Sequence, residues 1–329
     1  MDRDHTSPDR EAGAPEGAGR RVLVTGATGY VGANLTAALL AAPGVAGVVA
    51  GGRDPEAGRA LVEALGAPER LSFARGNLPE DPWPLDEVDV LVHAAGVRPG
   101  SGVDDTRILL VNQEGTRRLL ERVPGTAVRR VVFVSAQSVY GWRRPPPWRE
   151  PMGARPQTAY GLSKWVGEFL CRNLEGGVEA ASLRLSRVYG VGVGHRLVWT
   201  RMPHRFALLA ARGEPIPVFA AGRQMLDLVH VSDVAAAVCR AALGPLGSGR
   251  AVLNVGGGEP VTIRRVAELC RAAAETAGLP PPEITSVPEA GGAAPDFGLD
   301  ITRARRVLGW EPGRDLAAGL LELVEAAAR

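Results

Sequence analysis

Lysine is almost missing from this chain. Of its 38 basic residues one alone, Lys164, is lysine, and the rest are arginine. Cysteine is nearly as scarce: Cys171, Cys239 and Cys270 are too few and too scattered for a disulfide framework or a zinc site. The formal net charge is only +2, so no excess of one sign drives general binding to nucleic acid or to a membrane surface. No apolar run approaches the roughly 20 residues that span a bilayer. The first twenty residues, MDRDHTSPDREAGAPEGAGR, lack the apolar stretch of a secretory signal. These absences predict a soluble, cytoplasmic protein with no metal centre, no nucleic-acid partner and no membrane segment.

What the chain does contain is length and periodicity. Its 329 residues are about twice the usual domain size. Residues 1–20 are polar, rich in Pro and Gly and aperiodic, and read as a disordered tail. Short β-branched runs follow at Arg21–Thr25, Gly47–Ala50, Val88–His93, Arg130–Ser135 and Glu179–Leu185. Helical patterns fall between them at Asn34–Ala42, Glu56–Leu65, Thr106–Arg122 and Thr158–Leu174. Continuous apolar strands alternating with helices predict an α/β fold, a Rossmann-type doubly wound parallel sheet. After Tyr189 the rhythm changes to Gly, Pro, Arg and aromatics, one helix near Pro203–Arg212, a strand-like stretch Leu226–Val231 and helices Ser232–Leu243 and Thr262–Ala277. The expected division is a dinucleotide-binding domain over 21–188, to which 226–255 returns, and a smaller C-terminal α/β substrate domain from 189–225 and 256–329.

With 42 glycines in the chain, any single glycine says little. Gly26, Gly29 and Gly32 say more because they sit between a strand and a helix, as a tight turn beneath a pyrophosphate requires. Thr28, Tyr30 and Val31 share that loop and are assigned with it to the cofactor. The second strand ends Ala50-Gly51-Gly52-Arg53-Asp54, with glycine where an acidic residue would hold a free adenosine ribose. Arg53 can grip a 2′-phosphate bidentately, which favours NADP over NAD, with Asp54 as the competing ribose ligand. Asn77 and Leu78 follow the third strand, where an adenine edge would lie. Ala94, Ala95 and Gly96 close the fourth strand with small residues beside the cofactor, and Asn112 lies in the next helix. His93 reads as a packed histidine rather than a ligand.

Tyr160 and Lys164 stand at i and i+4 on one helix face. An adjacent ammonium stabilises a phenolate, so the pair can exchange a proton near neutral pH, and it is here that the chain keeps its single lysine.

TGATGYVG, HAAG, Asn112, SVYG at 138–141, YGLSK, VYG at 188–190, LVHVSDVA, NVGGGEPVT and LGWEP, in this order, resemble the extended short-chain dehydrogenase/reductase family. The resemblance covers about residues 21 to 325. It implies an NAD(P)-dependent epimerase, dehydratase or ketoreductase in which Tyr160 is the acid/base, Lys164 orients the nicotinamide ribose, and a Ser or Thr polarises the substrate carbonyl. It further implies cofactor contacts from Leu185 and Val188, and a helix pair that can form a homodimer. The Ser/Thr position falls here on Ala136. Ser138 is the first candidate to replace it, with Ser135 and Gln137 beside it; losing such a donor costs on the order of a hundredfold in rate. The arginine that grips a sugar-nucleotide diphosphate in relatives is replaced by Leu226, and the usual Asn of the neighbouring loop by Arg187. Arg187, His195, Arg196, Arg201, His204, Arg205 and Arg223 all fall where a substrate cleft is expected. Asp227, His230 and Asp233 recur every three residues but straddle a strand-to-helix change, so they predict no metal site, with Asp233 as a helix cap. The loop Trp142–Trp148 reads as a lid or partner surface.

The leading expectation is an NADP-dependent ketoreductase of a small-molecule carbonyl or sugar. An NAD-dependent nucleotide-sugar epimerase/dehydratase and a non-catalytic dinucleotide-binding module are the alternatives.

Overall fold

The computed structural model describes residues 19–100, 102–195, 202–288 and 295–329. Strand β1 (Arg20–Thr25) leads through the glycine-rich turn into α1 (Tyr30–Ala41). Then come β2 (Val45–Gly52), α2 (Pro55–Leu65), β3 (Leu71–Arg75) and β4 (Val90–His93). The expected helix after β4 has three parts: α3 (Asp105–Ile108), a π-helical stretch Leu109–Glu114, and α4 (Gly115–Glu121). Next are β5 (Arg130–Ala136), α5 (Ala159–Arg172), β6 (Glu179–Leu185) and β7 (Arg187–Tyr189).

The later elements are α6 (His204–Ala211), β8 (Ile216–Phe219), β9 (Met225–Leu226), β10 (Leu228–His230), α7 (Val231–Leu243) and β11 (Arg250–Val255). The described chain closes with β12 (Val261–Thr262), α8 (Ile263–Thr276), β13 (Ile284–Val287), α9 (Thr302–Leu308) and α10 (Leu316–Ala328).

Seven strands pair in the order β11-β6-β5-β4-β1-β2-β3, every pair parallel. This is a Rossmann-type sheet whose order reverses between β1 and β4, the crevice where such sheets bind ligands. Period-two alternation divides the strands between two cores. Val22 and Val24 face α1 and α7, whereas Leu23 faces the opposite layer with Leu91, Val131 and Phe133. Each such side chain contributes about 1.5–3 kcal/mol on full burial. A third core, built from Phe206, Ile216, Val266, Cys270, Leu320 and Leu323, lies under α6, α8 and α10.

Local chemistry sets the element ends. Asp54 caps α2, its carboxylate accepting from Glu56 N and Ala57 N, with Pro55 at the first turn and a left-handed Gly66 at the C-terminus.

Three expectations need correction. The stretch 226–231 is not one strand: it breaks at Asp227, whose buried carboxylate accepts from Gly257 N at 2.6 Å and Leu299 N at 2.9 Å. Asp233 does not cap α7. The cap is His230, whose Nδ1 accepts from Ser232 N, while Asp233 receives Gly313 N and Arg314 N and so pins the LGWEP segment. Trp148 is no lid residue either; it is buried, stacked on Tyr140 at 5.5 Å and donating Nε1–H to Arg144 O.

Candidate active site

A cleft of about 590 Å³ opens above β1 and β4, within the size range of small-molecule and cofactor sites. One wall is the glycine-rich turn. A Cβ on Gly26, which has φ +74°, would lie 2.7 Å from the Ala95 Cα, and one on Gly32 would enter the Gly26 carbonyl. Gly29 supplies the N-cap of α1 without a side-chain cap, so the first amides of the helix are available to an anion. The turn therefore fits a dinucleotide pyrophosphate. A bound nicotinamide dinucleotide supplies a hydride donor or acceptor.

Thr28, Tyr30, Val31, Arg53, Asn77, Leu78, Ala94, Ala95, Gly96, Leu185 and Val188 line the cleft together with the three glycines. Asn112 does not. Its carboxamide, presented by the π-helical stretch, accepts from Val97 N at 2.7 Å and donates to Val97 O at 2.9 Å. It holds the loop that follows β4. His93 is packed between Thr25 and Thr116, whose hydroxyls lie 2.7 and 2.9 Å from its ring nitrogens. Burial pulls its pKa down to about 3.

At the other end of the cleft stand Tyr160 and Lys164. Thr158 caps α5 by accepting from Gly161 N at 3.0 Å. Gly161 lets the helix meet the turn after β5 closely: a Cβ there would lie 2.5 Å from Ser138 O. Lys164 is buried, donates to Val134 O at 2.8 Å, and lies 5.8 Å from the Tyr160 ring centroid. Burial draws its pKa down to about 8, opposed by the Cys171 and Glu168 side chains.

The turn after β5 sorts the candidates for carbonyl polarisation. Ala136, Ser135, Gln137 and Ser138 all reach the cleft wall. Ser135 is committed, donating to Glu168 Oε1 at 2.5 Å inside a buried pair of Glu168 with Arg184. Ser138 Oγ and Gln137 Oε1 have no hydrogen-bond partner among the described residues. Buried polar atoms are usually paired, so both are left over for a ligand: the Ser138 hydroxyl can donate to a carbonyl, whereas Gln137 Oε1 can only accept, from a substrate hydroxyl.

Arg187 and His204 line the cleft with Met202, Val97, Arg98 and Ser186, while Gly76 and Trp83 line it beside Gly51 and Gly52 at the adenosine end. Arg98 and Trp83 carried no motif in the sequence. Arg223 is exposed and lies outside the cleft wall. Arg196 and Arg201 lie outside the described residues, as does the side chain of His195. Among the described residues no group of three His, Cys, Asp or Glu side chains forms a metal cluster, and no helix is long and apolar enough to cross a membrane.

The sequence from 22 to 256 matches the family model described as the NAD dependent epimerase/dehydratase family. The chain is 35% identical over 318 residues to a UDP-glucose 4-epimerase of Mycolicibacterium smegmatis, covering 93% of this chain and 97% of that one. It is 33% identical to a dTDP-6-deoxy-L-talose 4-dehydrogenase (NAD(P)(+)) of Kitasatospora kifunensis, covering 94% and 96%. Its fold matches MoeE5 in complex with UDP-glucose and NAD with TM-score 0.75 and 30% identity, covering 93% and 98%. The protein belongs to the NAD-dependent epimerase/dehydratase family, within the extended short-chain dehydrogenases/reductases, and is an NAD(P)-dependent enzyme of oxidoreductase type.

Proposed function

We propose that this enzyme is an NADP-dependent ketoreductase of a nucleotide-activated sugar. The observation that carries the reading is the charge of the cleft. Among its described lining residues are Arg53, Arg98, Lys164, Arg187 and His204, and not one Asp or Glu. At the adenosine end Asp54 does not line the described cleft wall, its carboxylate being directed at the first amides of α2. Arg53, exposed at that end, is the natural partner for the phosphate. Among the described lining residues no carboxylate stands at the reacting end to serve an elimination of water, whereas simple hydride transfer does not need one. Tyr160 then delivers the proton to the carbonyl oxygen, the charge on Lys164 stabilises the phenolate left behind, and the Ser138 hydroxyl polarises the oxygen.

Replacing Arg53 with alanine weakens NADPH binding by about tenfold or more, the scale of one charged hydrogen-bonding group, and leaves NADH binding nearly unchanged. Fluorescence titration reads both. Equal losses for the two cofactors, or no preference in the native enzyme, would overturn the NADP assignment. The second reading, an epimerase holding NAD tightly, is favoured by the 35% identical UDP-glucose 4-epimerase. NAD retained through purification, with product formed without added reductant, is its signature.

The partner we propose is a second copy of the chain. Leu162, Trp165 and Phe169 line one face of α5 at exposures of 36%, 41% and 57%, beside Leu110 at 42% on the π-helical stretch that packs against α5. So contiguous an apolar face on a helix pair marks an association surface. Phe169→Glu therefore gives a monomer in sedimentation velocity where the native protein sediments as a dimer. A monomeric native protein rules the surface out.

A further inference from the structure

Tyr30 belongs to the pyrophosphate cradle, yet its hydroxyl does not stay there. It donates to the carbonyl oxygen of Gly190 at 2.8 Å, 160 residues away. The same oxygen faces His204 Nε2 at 3.1 Å, and the two rings meet edge to face with centroids 5.6 Å apart. A carbonyl has two lone pairs, so it can accept from both donors at once. His204 is the first residue of α6, and α6 is packed into the third core with α8 and α10. The cradle and the substrate half are thus joined at one oxygen atom.

The acceptor position is restricted to glycine. Gly190 has φ +118°, and a Cβ there would enter the His230 ring, so no other residue fits. His230 is in turn fixed as the cap of α7 and lies edge to face on Tyr189 at 5.2 Å. The phenol of Tyr30 is held protonated by burial, so it remains a donor at any working pH. Both donors line the cleft, one at each side of the joint.

We propose that Tyr30 and His204 act as positioning residues, forming a latch on Gly190 that transmits occupancy of the pyrophosphate cradle to α6 and so presets the substrate half. Binding at the glycine-rich turn orders Tyr30, Tyr30 fixes Gly190, and Gly190 fixes the first turn of α6. By linkage, whatever tightens α6 must equally tighten the cradle.

The test is amide hydrogen exchange of residues 204–211 in the full chain, with and without saturating NADPH, saturation being verified by fluorescence titration. In the native protein NADPH slows exchange by about five- to tenfold, the scale of one net hydrogen bond. In Tyr30→Phe, which removes only the hydroxyl, the slowing falls below about twofold at NADPH concentrations raised until titration shows the site filled. His204→Gln, which retains a donor to Gly190, keeps most of the effect and shows that the joint tolerates substitution. A purely structural tie predicts otherwise: Tyr30→Phe speeds exchange equally with and without NADPH. That result overturns the latch, as does full protection in Tyr30→Phe or none in the native protein. The outcome is independent of the substrate and of the NADP preference, because NADH at saturation serves as well.

Discussion

Tyr160→Phe lowers kcat for the proposed carbonyl reduction by about 10²–10⁴-fold, the range of a lost general acid. Its NADPH affinity stays within about threefold of the native enzyme. The phenylalanine ring fills the same space, so the loss falls on the chemical step rather than on the cleft. In the native enzyme the same machinery gives a pH profile whose sign follows from Lys164. Burial lowers its pKa from 10.5 to about 8, so the ammonium is present below that value and lost above it. Activity that depends on this charge falls as pH rises through about 8. Steady-state rates for the two proteins from pH 6 to 10 check both statements. A Tyr160→Phe enzyme retaining a tenth of native kcat would show that the proton comes from elsewhere.

Glu168→Gln destabilises the fold by about 3–5 kcal/mol, the usual cost of breaking a buried ion pair from one side. Glu168 is fully buried and Arg184 nearly so; the guanidinium donates to both carboxylate oxygens, at 2.9 and 2.6 Å, and lies 4.6 Å from the Tyr140 ring. Among the described residues one of its terminal nitrogens has no hydrogen-bond partner, so the Tyr140 contact is the main compensation left once the carboxylate is gone. Urea unfolding measures the loss, and a deficit under about 1 kcal/mol would refute the assignment. Replacing both members by well-packed apolar residues recovers part of the loss, because the desolvation cost disappears with the charges. The pair sits one helical turn beyond Lys164 and anchors Ser135 at the end of β5, so stability and site geometry share these atoms.

The parts of this molecule that were legible in the sequence are those whose signal is local. Strand and helix order came from apolar runs and their spacing, and the lone lysine marked its own position. What stayed hidden depends on distant partners. Nothing around Asn112 announces a π-helical stretch that turns its carboxamide toward Val97. The interval of Asp227, His230 and Asp233 is regular, but each serves a different segment: Asp227 the Gly257 and Leu299 amides, His230 the cap of α7, Asp233 the C-terminal turn. Trp148 looked like part of an exposed Pro-rich loop because its burial against Tyr140 and Phe297 needs residues far along the chain. Ser135 and Ser138 are indistinguishable as letters; Glu168 beneath one of them separates their roles.

The last strand to join the sheet, β11, is Arg250–Val255, and it covers the flank of β6. A ribosome has therefore translated three quarters of the message before that flank is closed, and until then β6 presents open backbone groups to any neighbouring strand. Truncation after Tyr189, which would seem to isolate a tidy nucleotide-binding fragment, leaves this seam raw and invites aggregation. Dissection of the protein into pieces has to carry the 250–255 segment along.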